Sequence, residues 1–341
     1  AAAALLIEQG YEVVGVTLKL WPQDCVSRVE DKCCGPQAVT DARSVCHNLG
    51  IRYYLIDEAE DFQTHVIDYF AAEYKAGRTP NPCVMCNEHL KFGRLIDRAD
   101  QLGADKIATG HFARIEQDET TGRYLLKRGF DERKDQTYFL FSLRQDQLSR
   151  ALFPLGEKTK SDTRDVARSC NLKTAEKEES MEICFVPDND YGAFLQKAGL
   201  AEKHQGEIVD LNGRVLGQHD GIEFYTIGQR KGLGISSPYP LYVLELNPEE
   251  NRVVVGPVEN LERDQFEVER CNWIPFETLT APIEVTTRIR YNHTGTPATL
   301  TPLENNRATI KLHTPQRAIA PGQACVFYQD DLVVGGGWIT R

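Results

Sequence analysis

At 341 residues the chain can bury two or three separate cores, and 41% hydrophobic content with ordinary glycine and proline levels excludes a disordered polymer. No apolar run approaches the ~18 residues of a membrane span, so the expected setting is cytoplasmic, with no membrane partner. A formal net charge of −11 argues against a non-specific nucleic-acid binder, since affinity for phosphate comes mainly from Lys and Arg, but leaves room for a local basic face.

The opening Ala1-Ala-Ala-Ala-Leu-Leu-Ile-Glu-Gln-Gly10 has strong helix formers and a glycine stop but no Met and no N-cap. It reads as the back half of a helix, and a native N-terminal segment is expected ahead of it. Glu12 to Leu20 is the near-continuous β-branched run of a strand buried in a parallel sheet, closed by Trp21. Cys25, Cys33 and Cys34 follow in a polar loop without a His or Cys partner at zinc spacing. Gln37 to Leu49 is helical by period, Arg52 to Ile56 a strand, and Asp61 to Ala76 a helix with Phe62, Val66, Ile67, Phe70 and Tyr74 on one side. With Lys106 to Ala108 as a further strand, the first ~115 residues read as an open α/β sheet, whose ligands bind beyond the strands' carboxyl ends.

Thr79 to Gly93 is the stretch with the strongest chemical signal. Pro80 and Pro82 fix an extended approach, and Cys83 and Cys86 follow in a Cys-x-x-Cys spacing. Asn87 is a plausible N-cap for a helix with Leu90, Leu95 and Ile96 on its apolar face, which would place Cys86 at a helix N-terminus. Such a place favours the thiolate, the form that attacks electrophiles and binds soft metals. The ten cysteines lie unevenly in a large chain with no secretory signal, so they read as reduced thiols with a few functional members.

Glycine in Thr109-Gly110-His111 lets a ligand approach the strand end, and His111 either contacts that ligand or satisfies a core hydrogen bond. Lys127, Arg128 and the run Arg133 to Leu140 place basic and amide groups before aromatic ones, which suits either a solvated loop entering a helix or a nucleic-acid contact. Leu155 to Lys177 is charged and helical, and leads to Cys184 in an apolar Ile-Cys-Phe-Val run. From about Asp190 the composition shifts to one helix, Tyr191 to Lys197, and short strands with an Asn212-Gly213 turn. Tyr225 to Gly234 is either a phosphate-contacting loop or a tight connection. The remainder has strand runs at Ile283 to Ile289, Ala308 to Leu312, Ala324 to Tyr328 and Leu332 to Gly335, the pattern of a small β-barrel or sandwich.

Five motifs in order, Asn-Pro-Cys-Val-Met-Cys-Asn at 81 to 87, Ala-Thr-Gly-His-Phe-Ala-Arg at 108 to 114, Lys-Asp-Gln-Thr-Tyr-Phe-Leu at 134 to 140, Glu-Ile-Cys-Phe-Val at 182 to 186 and Tyr-Thr-Ile-Gly-Gln-Arg-Lys-Gly-Leu-Gly at 225 to 234, resemble one family across essentially the whole chain. It is the bacterial tRNA-specific 2-thiouridylases, the MnmA family of the PP-loop ATPase superfamily. The resemblance implies an α/β PP-loop domain at 1–189, a small central domain at 190–257 and a C-terminal β-barrel at 258–341, the latter two contacting tRNA. It implies a transferase that uses ATP, with Mg2+, to adenylate the C2 oxygen of the tRNA wobble uridine. Cys184 would carry a persulfide and Cys86 would act as nucleophile, closing a transient Cys86–Cys184 disulfide. Leu18 and Gly110 would line ATP; Asn81, Pro82 and Cys83 would meet the target base, flipped from its stack. His111, Lys134, Asp135, Gln136, Arg290, Tyr291 and Gln323 would touch tRNA. Glu, Gln and Lys acceptors are the expected tRNAs, and a sulfur-relay protein or cysteine desulfurase the expected donor.

The family's Ser-Gly-Gly-Val-Asp-Ser phosphate loop belongs just before the first helix and is expected to be missing. Position 83 is Cys where some members carry Asp as a candidate acid/base. Cys83, Cys86 and Cys184 also form a three-thiolate set able to hold a [4Fe-4S] cluster, an alternative route to the same thiolation. Weaker alternatives are a thiol oxidoreductase built on Cys83 and Cys86, a structural zinc module and a different PP-loop enzyme.

Overall fold

The computed structural model describes residues 1–20, 36–176, 183–186 and 190–340. Trp21, Cys25, Cys33 and Cys34 lie outside them. Two compact units emerge: residues 1–66, 83–189 and 331–333 form one, and residues 67–82, 190–330 and 334–341 the other.

In the first unit α1 (Ala2–Glu8) precedes β1 (Val14–Lys19), α2 (Pro36–Asn48) and β2 (Arg52–Asp57). β1 and β2 pair in parallel from Val14 opposite Arg52 to Lys19 opposite Asp57, and the last pair is also an ion pair of 2.8 Å. β3 (Ile107–Ala108) pairs in parallel with β6 (Ala151–Leu152). Among the described residues the two strand pairs are not hydrogen-bonded to each other. A cavity of about 520 Å³ lies between them, lined by Val14 and Val16 of β1 and by Ile107 and Ala108 of β3. The run 12–20 reads as a fully buried strand, yet β1 is only half-buried, because the edge toward this cavity is open.

Helix α3 starts at Ala59 and runs through a π-helical stretch, Gln63–Asp68, to Lys75. Helix α4 starts at Pro82 and runs through a second π-helical stretch, Cys86–Arg94, to Gln101. Glu58 fixes α4 to the end of β2. Its amide donates to the Lys19 carbonyl at 3.0 Å, and its buried carboxylate accepts from Arg98 Nε at 2.6 Å and Arg94 Nε at 3.3 Å.

β4 (Ala113–Gln117) and β5 (Tyr124–Arg128) form a hairpin. Lys127 pairs with Glu116 at 2.6 Å across it, and Arg114 reaches Asp331 at 2.6 Å. Lys127 is thereby a cross-strand partner inside a sheet, not the loop cation that its sequence context suggested. A 3-10 turn, Thr137–Phe139, then α5 (Gln145–Arg150) and α6 (Lys160–Ser169) complete the described elements of this unit up to an extra 3-10 turn at Lys173–Glu176. The long charged run from Leu155 is helical mainly over α6, where Thr159 caps through Asp162.

His111 lies in this unit's core. Its ring sits between Phe92 and Phe153, each with a centroid 5.9 Å away, and Nδ1 pairs with Thr109 Oγ1 at 2.6 Å. Burial, reinforced by the nearby Lys91 charge, holds its pKa well below the ordinary imidazole value.

In the second unit α7 (Tyr191–Lys197) precedes a four-stranded sheet ordered β8-β7-β10-β9, from β7 (Gly206–Val209), β8 (Val215–His219), β9 (Tyr242–Asn247) and β10 (Arg252–Gly256). Its core gathers Ile208, Val243, Leu246, Val253 and Val255, closed by Tyr225 and Leu233 from the 225–234 connection. That connection is a tight one. Gly228, Gly232 and Gly234 all take positive φ, which leaves Arg230 and Lys231 exposed at its bend.

Strands β11 (Glu262–Trp273), β12 (Ile283–Arg288), β13 (Thr296–Leu303), β14 (Arg307–Arg317), β15 (Ala324–Gln329) and β16 (Leu332–Ile339) follow the order β11-β14-β13-β12-β15-β16. Pairing of β11 with β16 closes the barrel. A Cβ at Gly335 would overlap the Asn272 carbonyl oxygen, so the seam needs glycine there.

Two outcomes test this account. Glu58→Ala should lower the stability of the first unit by about 2–3 kcal/mol, near the low end for a broken buried ion pair because both arginines can rehydrate. A urea midpoint shift at unchanged m-value is the readout. The unfolded state takes up a proton at His111 as pH falls through about 6.5 while the folded state does not, so stability should be full above that pH and decline below it. His111→Gln should flatten the decline by up to ~1.4 kcal/mol per pH unit. His219 and His293, also held low by burial, should keep part of the slope.

Candidate active site

The carboxyl ends of β1 and β3 carry Leu18 and Gly110. At Gly110 an added Cβ would meet only Leu155 Cδ1, at 3.6 Å, so a ligand can approach the backbone there. His111, next in sequence, faces inward as a neutral core imidazole.

Helix α4 presents the motif thiols. Pro82 stands in its first turn, where a missing N–H costs nothing and a fixed φ suits the helix. The helix therefore begins six residues earlier than an Asn87 cap would allow, with Pro82 in place of Glu88 as its first residue, and this corrects the placement of both cysteines. Cys83, half-buried, lies in the first turn; Cys86, buried, lies three residues on along the same face. Asn87 is a buried helix-interior residue whose Nδ2 donates to the Phe139 carbonyl at 2.9 Å.

Cys184 is held by its neighbour. Phe185 is buried edge-on against Phe62 with centroids 5.8 Å apart, and Val186 N donates to Ile183 O at 3.1 Å in a turn. Cys184 itself is half-buried, unlike the inert core thiols Cys271 and Cys325, whose pKa values burial raises. None of Cys83, Cys86 and Cys184 is disulfide-bonded. Among the described residues no group of three or more His, Cys, Asp or Glu side chains is arranged to hold a metal ion. The three thiols do not fit a cluster in this arrangement, and no step is derived through one.

The 134–136 run turns inward. Asp135 is buried, with Oδ1 accepting from Thr137 Oγ1 at 2.8 Å, and Gln136 brackets Phe112 by accepting its amide at Oε1 (3.0 Å) and donating its own amide to its carbonyl (3.0 Å). Tyr138 is fully buried, so it offers no stacking face to a base. Lys134 remains half-buried at the surface.

In the second unit, Gln323 Nε2 donates to the carbonyls of Thr79 and Pro80 at 3.2 and 3.3 Å, and Thr79 N donates to Pro321 O at 2.7 Å. The extended approach to Asn81 and Pro82 is thus held by backbone bonds, and Asn81 is buried. Arg290 is exposed and Tyr291 half-buried in the turn after β12, where His293 pairs with Gln316 at 3.2 Å.

Sequence reasoning missed Gln147, which is almost fully buried on α5 and bonds to the backbone of α4. Its only sequence signal is a glutamine within an otherwise polar helix, which does not distinguish an inward amide from a solvated one.

Residues 1–188 match the tRNA methyl transferase HUP domain, 192–257 the tRNA methyl transferase PRC-barrel domain and 263–339 the aminomethyltransferase beta-barrel domain. The tRNA-specific 2-thiouridylase MnmA of Heliobacterium modesticaldum is 50% identical over 341 residues, spanning 99% of this chain and 89% of the relative. That of Moorella thermoacetica is 50% identical over 339 residues, spanning 99% and 95%. The MnmA 2 protein of Clostridium botulinum strain Okra is 46% identical over 342 residues, spanning 100% and 95%. With identity of this order along its whole length and a nucleotide-binding-type domain, a small sheet domain and a closed barrel in the same order, the chain belongs to the MnmA family of tRNA-specific 2-thiouridylases.

Proposed function

We propose that the protein is a tRNA-uridine 2-sulfurtransferase that thiolates C2 of the wobble uridine of Glu, Gln and Lys tRNAs in the cytoplasm. The observation that carries the reading is full-length similarity to tRNA-specific 2-thiouridylases, with a cysteine at both motif positions, Cys86 and Cys184.

ATP, with Mg2+, supplies activation by turning the C2 oxygen into an AMP leaving group. Cys184 takes a sulfane sulfur from a relay protein or a cysteine desulfurase. The terminal sulfur of that persulfide forms the bond to C2 as the C–O bond to AMP breaks, which leaves Cys184 joined to the base through a disulfide. Cys86 thiolate then attacks the Cys184 sulfur; the 2-thiouridine sulfur leaves with the electron pair, and a Cys86–Cys184 disulfide remains. An external thiol reductant restores both cysteines. Leu18 and Gly110, at the strand ends, suit the nucleotide. Arg290, Tyr291, Lys134 and the exposed Arg230 and Lys231 are the tRNA contacts this reading favours, with Asn81, Pro82 and Cys83 near the base.

In cells deleted for the gene, wild type should restore tRNA 2-thiouridine, whereas Cys86→Ser and Cys184→Ser should not, although both still bind ATP. Unchanged 2-thiouridine in the deletion strain would sink the assignment. Anaerobically purified enzyme should thiolate while free of iron and acid-labile sulfide; activity that tracks iron content would replace the persulfide route with the cluster route.

A further inference from the structure

A π-helical turn pairs each amide with the carbonyl five residues back instead of four, a register that is rare in helices and found mostly as short stretches. In α4 this shift covers Cys86–Arg94, and Leu95 N reaches Leu90 O across it. Gln147 bonds to two carbonyls of this stretch. Its Nε2 donates to Glu88 O at 3.0 Å and Phe92 O at 2.6 Å, while Oε1 accepts the Arg144 amide at 3.0 Å. Both amide hydrogens and the oxygen of a side chain only 1% exposed are therefore committed. Gly93 adds a second constraint, since a Cβ there would stand 3.1 Å from Glu88 O, tighter than ordinary contact.

We propose that Gln147 is a positioning residue for the thiol chemistry: by capping the Glu88 and Phe92 carbonyls it holds α4 in its π register and so sets the direction of Cys86, the first residue of the stretch. Reversion to α-helical pairing would move the helix by one residue against its remainder and turn Cys83 and Cys86 by about 100°. Asn87, tied to Phe139 O, holds the same end from the adjacent segment. The inference rests on the sulfur-transfer reading for its catalytic consequence but not for its geometry.

The test uses Gln147→Met, which keeps length and removes both donors, and Gly93→Ala, which presses on the Glu88 carbonyl while favouring helix and leaving the core amide in place. Cys86 and Cys184 alkylation by iodoacetamide is followed by peptide mass spectrometry well below the melting temperature. Single-turnover thiolation and tRNA affinity are measured alongside. Both variants should change the Cys86 alkylation rate, leave that of Cys184 unaltered and slow thiolation about tenfold to a hundredfold at unchanged tRNA affinity. A lower melting temperature with unchanged Cys86 alkylation and thiolation would make Gln147 a structural brace and overturn the proposal; if Gln147→Met fails to fold, Gly93→Ala decides alone. Cys86 alkylation that responds in a protein whose wild type does not thiolate tRNA would keep the positioning role and remove the proposed function instead.

Discussion

Proline has no amide hydrogen to give, and where Pro82 stands determines where the helix bearing the motif thiols begins. A helix leaves its first four N–H groups unpaired, so a residue without one is best placed in the first turn. Pro80 keeps the preceding chain extended, and that extended run is bonded on both sides of its backbone by Pro321 and Gln323. From Pro82 the spacing of the two cysteines does the rest: three residues on a helix share a face. Glu58 then anchors the far half of α4 to the end of β2 through Arg94 and Arg98. The placement of Cys86 thus depends on one imino acid, one buried carboxylate and the amide of Gln147, none of which reacts.

An acidic protein that handles a polyanion has to spend its cations with care, and here many are committed to the fold. Arg94 and Arg98 hold Glu58, Lys127 holds Glu116, Arg150 holds Asp100, and Lys311 and Arg317 bridge β14 to β11 through Asp264 and Glu262. Exposed pairs of this kind add little stability each, but they neutralise the barrel's acidic strand locally. Arg230, Lys231 and Arg290 instead lie exposed on loops of the second unit. A polyanion contact built from a few loop cations has a small salt slope, and selectivity must then come from shape more than from bulk charge.

The regular elements were legible where residue patterns are local. The strand at Arg52–Asp57, the helix at Pro36–Asn48 and the hairpin around Asn212-Gly213 follow from period and turn chemistry alone. β11 was not legible, because register shifts between Arg263 and Gln265 and between Glu269 and Asn272 break the two-residue alternation that marks a strand. Arg270 takes a left-handed conformation at the second shift, and its guanidinium lies 5.5 Å from the Trp338 ring centroid. At the site, the five motifs identified the thiols but not the direction their neighbours face. Asp135, Gln136 and Tyr138 have the composition of a nucleic-acid contact, and the fold uses them as an internal brace. Inward and outward polar residues differ in tertiary partners, which a single chain does not spell out.

Position 83 carries the last consequence of the early helix start. Had the helix begun at Asn87, Cys83 would sit in extended chain and Cys86 would receive the helix's positive end. With the start at Pro82, Cys83 occupies the first turn and Cys86 lies one turn further on. Cys83 is thus close in chain to Cys86 and on its face of the helix. A thiol at position 83 adds a second soft nucleophile to that face, where a carboxylate would add a hard base.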